Sequence, residues 1–477
     1  MFYCREKELE KMNQWYESDA FECIIVYGRR RVGKTALINA FCQDKPVIYF
    51  SALQATANKN LSALSQAIHV CKEPEADTFP LYQSFDDALR EISRLSRDRR
   101  LIFVIDEYPY LAKAEEAISS LLQHTIDHDW GGTKLYLILC GSSMSFMEKQ
   151  VLGEASPLYG RRTGQLRLEP LTYRETALFC PNLSPEQSAL VYGITGGIPH
   201  YINKLNVRDS VDEALMENLF DRASYLYEEP ENLLKQELRE PALYSDILSA
   251  IAEGASKISE IASQCKIDAA VCAKYLTVLI ELGIVKKERP LAKATSKKTI
   301  YSIGDSFFRF WYRFVPKHTA LIASGRIRQV YGKVIKPYLP EFMGLVFERM
   351  CHDYLLYYAN NASYELLSLG RWWGNDPSEK KEIEIDIVGE ILEASGETSY
   401  LIGSCKYRNT ETGRDELERL RHYATVFAGG KNCRYVIFSK AGFTQGLRAS
   451  SQAGEVVLAT LEDMMGAGTC RPGEPVK

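Results

Sequence analysis

A chain of 477 residues has room for about two to four domains with ample core. Its formal charge of −4 excludes a globally basic, nucleic-acid-coating protein, so any nucleic-acid contact has to be local. No apolar run approaches the ~20 residues of a bilayer span, the opening MFYCREKELE is charged too early for a signal peptide, and the 12 cysteines are scattered without a C-x-x-C pair. Cys23, Cys42, Cys140 and Cys405 sit in apolar stretches, which points to reduced, buried thiols in a cytoplasmic protein with no membrane partner.

The first third alternates helical stretches with short apolar segments: CIIVY (23–27), VIYFSA (47–52), LIFVID (101–106), LYLILC (135–140) and LRLEPL (166–171). Nearly continuous apolar strands joined by helical crossovers predict a parallel sheet covered on both faces. The turn after the first strand, GRRRVGKT (28–35), fits G-x-x-x-x-G-K-[ST] without a gap, and a helical ALINAFC follows. Glycines permit the backbone geometry that aims amides at phosphate, the lysine reaches the terminal phosphates, and the threonine hydroxyl ligates Mg2+. The expected nucleotide contacts are therefore Gly28, Arg29, Arg30, Arg31, Val32, Gly33, Lys34, Thr35 and Ala36, with ATP and Mg2+ as cofactors.

LIFVID ends in Asp106-Glu107. Asp106 is expected in the Mg2+ shell with Thr35, and Glu107 as the group that polarises the attacking water. His124 and His128 share a helix face, but the intervening Thr-Ile-Asp lacks the glutamate of a zinc protease, so they read as solvated or capping side chains. LCGSS (139–143) closes the next strand; Ser142 or Ser143 can report on the γ-phosphate, and Ser142 is the candidate. Setting the phosphate-loop strand beside this serine strand, with the acidic strand beyond, brings all three groups to one sheet edge. Arg161 and Arg162 read either as a surface basic pair or as the source of an arginine finger, with Arg161 the candidate, in cis or from a second copy of the chain. Lys34, Glu107, Ser142 and Arg161 are thus the catalytic candidates. The helical opening FYCREKELEKMNQW (2–15) is expected near the adenine.

FYCREKELE, GRRRVGKT, VIDEYPYL, LCGSS, SPLYGRRTGQLRLEPL and GITGGIPHYI (193–202) together resemble the archaeal-type ATPase family, in the AAA+ and STAND-like P-loop class, over roughly residues 1–235. The resemblance implies a helical lid over the nucleotide that includes Gly197-Ile198-Pro199. Physically, Gly196, Gly197 and Pro199 mark a helix break that is either a hinge or a static turn.

Three short amphipathic helices follow, at 244–254, 257–265 and 268–283, with Ser259 and Asp268 as candidate caps. IVKKE and TIYSI then form a hairpin whose tip holds Pro290, Lys293, Lys297 and Lys298. This is the order of a winged helix, read either as a double-stranded-DNA module or as a protein-packing module. SFFRFWYRFVPKH (306–318) reads as buried aromatic core.

The last third gives a helix (340–358) carrying Glu348, strands at EIEIDIVG (382–389) and YLIGSCK (400–406), a helix at 413–430 and a strand at 434–440. That order resembles the PD-(D/E)XK nuclease domain, which the same ATPase family carries at its C-terminus. The resemblance makes Glu348, Asp386 and Lys406 a candidate second metal site, with Ser404 standing where a glutamate is expected. Glu384, or Glu416 or Glu418 on the following helix, are candidate replacements for the missing acid. The alternatives are an active nuclease, an impaired one, and ordinary polar groups at a sheet edge.

The expected architecture is α/β: a P-loop core (1–175), helical lid (176–240), winged helix (241–312), connecting segment (313–335) and nuclease-like domain (336–477). The expected function is a Mg·ATP-driven switch coupled to the winged helix and an impaired nuclease-like domain. The alternatives are an ATP-dependent DNA endonuclease and a slow-turnover DNA-binding regulator.

Overall fold

A computed structural model describes residues 4–73, 75, 80–290, 299–359 and 363–466. The chain divides into two compact units, residues 1–171 with 198–200, and residues 172–197 with 201–477.

The first unit is built on a five-stranded parallel sheet of β1 (Glu22–Gly28), β2 (Val47–Ser51), β3 (Leu101–Asp106), β4 (Leu135–Gly141) and β5 (Gly164–Leu168), in the order β2-β3-β4-β1-β5. Every residue of β1, β3 and β4 is buried, as strands covered on both faces must be. Side-chain alternation sorts them into two layers. Ile25, Phe103, Ile105, Leu137 and Leu139 enter one apolar core with residues of α3 (Ala57–Lys72), α4 (Phe85–Leu95), α5 (Tyr108–Ala114) and α6 (Ile118–His128). On the opposite face Tyr136 meets Phe41 of α2 (Lys34–Cys42) at 5.2 Å between ring centroids and Tyr16 of α1 (Glu6–Tyr16) at 5.9 Å. The loops after β1, β3 and β4 leave the same sheet edge, because all these strands are parallel and β4 lies between the other two. The last strand covers 164–168 and ends ahead of Pro170, shorter at its C-terminal end than the expected 166–171, since proline cannot donate to a ladder.

The second unit begins with helical elements that include α7 (Pro185–Thr195). Its N-cap Ser184 accepts from Gln187 N, and it stops at Gly196 in the left-handed conformation, φ 63°. Three helices, α8 (Pro241–Ala252), α9 (Ile258–Cys265) and α10 (Ala269–Glu281), precede the antiparallel pair β6 (Val285–Glu288) and β7 (Ile300–Ile303). Ser259 is not a cap: α9 opens at Ile258, and the Glu260 carboxylate instead accepts the Ser256 and Lys257 amides at 3.0 and 3.1 Å. Lys293, Lys297 and Lys298 lie outside the described residues. The aromatic segment forms α11 (Ser306–Phe314), with Phe307, Phe308, Phe310, Trp311, Tyr312 and Phe314 buried.

A second five-stranded sheet follows α12 (Leu339–Tyr357): β8 (Tyr364–Asp376), β9 (Lys381–Glu393), β10 (Thr398–Lys406), β11 (Cys433–Ser439) and β12 (Val457–Thr460), in the order β12-β11-β10-β9-β8. Helix α13 (Arg414–Ala428) connects β10 to its parallel neighbour β11. β8 is not among the expected strands, because its Gly370 and RWWGNDP segment imitate a turn. The register between β8 and β9 slips from Gly370↔Val388 to Trp372↔Ile385, so β9 carries an extra residue around Asp386. Such bulges re-aim side chains.

Trp15 and β5 approach closely: a Cβ built on Gly164 would lie 2.5 Å from Trp15 Cζ2. Gly164→Ala is expected to destabilise the first unit by about 1–3 kcal/mol through overpacking. Urea unfolding followed by circular dichroism should show that loss, and Trp15→Phe in the same chain should recover part of it.

Candidate functional site

The loop joining β1 to α2 owes its shape to a few backbone positions. Gly28 has φ 154°, and a Cβ there would lie 2.4 Å from the Leu168 carbonyl oxygen; Gly33 has φ 97°. Arg31 takes a left-handed φ of 71° without being glycine. Val32 is fully buried, and its carbonyl accepts a long 3.4 Å bond from Arg5 Nη2, which also donates to Glu169 O at 2.6 Å. Arg5, on the residue before α1, therefore braces the loop from behind. Arg30 donates to the Tyr110 hydroxyl on α5. Lys34 is buried, and its ammonium donates to Gly28 O and Arg29 O, both at 2.9 Å. Burial lowers its pKa, while the nearby Cys140, Glu107 and Asp106 oppose that shift. Thr35 and Ala36 are exposed on the first turn of α2.

The β3 end meets this loop. Thr35 Oγ1 donates to Asp106 Oδ2 at 3.1 Å, Tyr49 of β2 donates its hydroxyl to the same oxygen at 2.9 Å, and the Glu107 amide donates to Oδ1 at 3.0 Å. Glu107 sits in the left-handed region at φ 54°, ψ 45°, a conformation that costs about 1–3 kcal/mol for a non-glycine residue and is concentrated at functional positions. Ser142, at the end of β4, donates its hydroxyl to both Glu107 carboxylate oxygens at 2.9 Å, and its amide lies 3.4 Å from Oε2. Lys34, Thr35, Asp106, Glu107 and Ser142 are thus linked around one sheet edge. Arg161 is engaged elsewhere: its guanidinium forms a two-pronged pair with Asp127 at 2.8 Å on each prong, and donates to the Pro157 and Tyr159 carbonyls at 3.0 Å. His124 and His128 are exposed on α6, ring centroids 4.3 Å apart.

A second acidic cluster lies in the C-terminal sheet of the other unit. Asp386 Oδ2 accepts the Cys405 amide at 2.8 Å and the Ser404 hydroxyl at 3.3 Å, with Lys406 Nζ 3.7 Å away. Lys406 also stands 3.4 Å from Glu416 Oε1 on α13. Burial pushes the Glu416 carboxyl up, but Lys406, Ser404 and Arg419 outweigh it and hold the group below its ordinary value. Glu348, on α12, is pushed up to about 7 by burial; Asp386 and Glu384 add to the shift and Arg371 opposes it. Arg371 Nε lies 3.5 Å from Glu348, and the same guanidinium pairs with Glu384. One turn after Glu348, His352 Nε2 bonds the Asp386 carbonyl at 2.9 Å. A carbonyl only accepts, so that nitrogen carries the proton, consistent with burial keeping the ring neutral. Glu348, Asp386, Ser404, Lys406 and Glu416 therefore share one cluster. Glu384 is turned to Arg371, and Glu418 to Arg414 and Arg421.

Sequence reasoning did not assign roles to Arg5, Tyr49, Tyr110 or Arg371. The first three come from outside the loop motif, and Arg371 lies on the strand that the sequence disguises as a turn.

Among the described residues, no helix is long and apolar enough to cross a membrane. Residues 2–205 match the family described as an ATPase domain predominantly from Archaea, and residues 311–418 match a family of archaeal and bacterial proteins of unknown function. An uncharacterized protein of Methanocaldococcus jannaschii is 32% identical over 378 residues, 78% of this chain and 82% of that protein. An uncharacterized ATP-binding protein of the same organism is 45% identical over 47 residues, 10% of this chain and 80% of that protein. Among solved structures, the Walker-type ATPase of Pyrococcus abyssi shares the fold, with a TM-score of 0.50 at 21% identity, covering 65% of this chain and 96% of that one. With the phosphate-loop sheet on one unit and the second matched segment on the other, the chain belongs to the archaeal-type P-loop ATPase family.

Proposed function

We propose that the protein is a Mg·ATP-hydrolysing switch whose nucleotide state governs its C-terminal modules. The observation that carries this reading is the linked set Lys34, Thr35–Asp106 and Glu107–Ser142 at the end of a parallel sheet. The residues fit the nucleotide and its metal: positive-φ glycines at 28 and 33 free loop amides for phosphate, and Thr35 and Asp106 offer hard oxygen ligands to the Mg2+ shell. Bound Mg2+ supplies charge neutralisation across the phosphates.

This chain's own groups do the rest. The Lys34 ammonium exchanges two loop carbonyls for phosphate oxygens, a stronger, charge-assisted bond. Glu107 orients a water and draws on its proton. To do so it has to leave the Ser142 hydroxyl, so Ser142 reports on the γ-phosphate by choosing between the phosphate and Glu107. Arg161 acts as a finger by giving up its Asp127 pair; Arg162, exposed and held by a 3.4 Å bond to the Leu152 carbonyl, is the less tethered neighbour.

A second reading, an ATP-dependent DNA endonuclease, is favoured by one observation: Glu416 stands beside Lys406 and Ser404, where the strand lacks its acid. Glu348, Asp386 and Glu416 would hold a divalent ion that activates a water against a phosphodiester, and Lys406 would steady the phosphate. The serine is then a migrated-ligand arrangement and not a lost one. In either reading the three helices and the β6–β7 pair act as a winged helix. Lys286 is engaged with Glu288 at 2.7 Å, and α10 opens with Ala269, Ala270 and Val271 in place of base-reading side chains; both features support protein packing over groove reading.

Lys34→Ala and Glu107→Gln are each expected to lower ATP hydrolysis at least about 100-fold, with Glu107→Gln still retaining labelled nucleotide in filter binding. Plasmid nicking in Mn2+ that disappears in both Asp386→Ala and Glu416→Gln supports the endonuclease; nicking that survives Glu416→Gln removes the migrated acid. A carboxyl whose folded pKa is raised from 4.5 to about 7 stays protonated in the folded state after the unfolded chain has ionised, so its contribution weakens folding as pH rises through that window. Glu348→Gln should therefore stabilise the second unit by on the order of 2 kcal/mol near pH 8 relative to pH 4, read as a flatter pH dependence in calorimetry.

A further inference from the structure

Asp106 is held by a residue that lies outside the loop, the acidic strand and the serine strand. Tyr49 projects from β2, the edge strand beside β3, and donates its hydroxyl to Asp106 Oδ2 at 2.9 Å. That same oxygen receives Thr35 Oγ1 at 3.1 Å, while Oδ1 receives the Glu107 amide at 3.0 Å. The register places Ser51 opposite Asp106 and Tyr49 opposite Val104, so Tyr49 starts two residues back along the neighbouring strand and reaches forward to the carboxylate. Burial and the adjacent Asp106 charge both push the phenol's pKa up, so it stays a donor.

We propose that Tyr49 is a positioning residue for the magnesium shell of the nucleotide site. Two hydroxyls converge on one oxygen of a buried carboxylate, and they come from opposite sides of β3 in the sheet: Thr35 from the phosphate-loop helix that follows β1, and Tyr49 from the edge strand. Without Tyr49, a carboxylate whose Thr35 hydroxyl has turned to a metal ion keeps only the Glu107 amide on Oδ1 and can swing its Oδ2 about the Cβ–Cγ bond. The phenol opposes that rotation, because turning away would break its bond and leave a half-buried donor without its acceptor. Tyr49 therefore presets the orientation in which Asp106 meets the metal, as partners behind a ligating carboxylate generally do. Its effect falls on the metal, not on the triphosphate, which Lys34 and the loop amides grip without it.

The test uses the full chain and Tyr49→Phe, which keeps the ring and removes the hydroxyl. Fluorescent-nucleotide binding is measured in EDTA and then across a Mg2+ titration, with ATP turnover followed over the same titration. The expected result is unchanged affinity in EDTA, a Mg2+ half-saturation raised about 10-fold or more, and turnover restored by excess Mg2+. An unchanged half-saturation overturns the proposal. So does lost affinity in EDTA, which would make Tyr49 a packing residue. Asp106→Asn supplies the second arm: in that background Tyr49→Phe should add nothing to the half-saturation, and a further shift of similar size would overturn the proposal even if the single variant behaved as expected.

Discussion

A carboxylate removed from water has to be met by donors, and in the ATPase unit that requirement falls on Asp106 at the end of β3. It is 5% exposed and bonded to Thr35, Tyr49 and the Glu107 amide. Those three bonds join the phosphate-loop helix, the edge strand and the turn that carries Glu107. The sheet order matters for this reason: with β4 between β1 and β3, the loop lysine, the acidic pair and Ser142 converge without long side chains. Removing the charge would leave two hydroxyls and an amide competing for a weaker acceptor.

The acidic cluster of the second unit has the opposite character. Asp386 is well supplied, by the Cys405 amide and the Ser404 hydroxyl, and Glu416 by Lys406 and Arg419. Glu348 faces one guanidinium at 3.5 Å and is pushed up to about 7, burial being the main cause. Carboxylates crowded with too little positive charge raise one another's pKa, and perturbed acids of this kind concentrate at functional sites. The bulge in β9 near Asp386 is a further sign that local geometry has been bent toward this cluster.

Within the second unit, α7 lies against the helix that carries Glu348. A Cβ on Gly193 would sit 2.6 Å from Met343 Sδ, and Tyr192 reaches Asp353 at 3.4 Å. Below them Arg349 bonds the Ser306 hydroxyl at 3.1 Å, and Arg309, its pKa lowered to about 9 by burial, donates to the Phe342 carbonyl at 3.1 Å. Close-packed interfaces of this kind transmit displacement instead of absorbing it. The aromatic α11 is part of that packing, with Phe310 and Phe342 edge-to-face at 5.2 Å.

Local sequence determined a good deal of this protein. The phosphate loop, the acidic pair and the apolar strands of the first sheet are written as contiguous patterns, because backbone geometry and burial on both faces constrain neighbouring residues. Glu348, Asp386 and Lys406 came together as a candidate set only through the family resemblance, not through any local pattern. The tertiary structure decided what no window along the chain contains. Tyr49 reaches Asp106 across 57 positions and Arg5 reaches Glu169 across 164. The strand 364–376 was hidden by glycine and a turn-like run, yet it supplies Arg371. Which of Glu384, Glu416 and Glu418 stands beside Lys406 is also decided by packing: Arg371 pairs with Glu384, whereas Glu416 of α13 lies 3.4 Å from Lys406. Pattern is fixed by short-range sterics and solvent preference, whereas which distant charge meets which is fixed only when the layers pack.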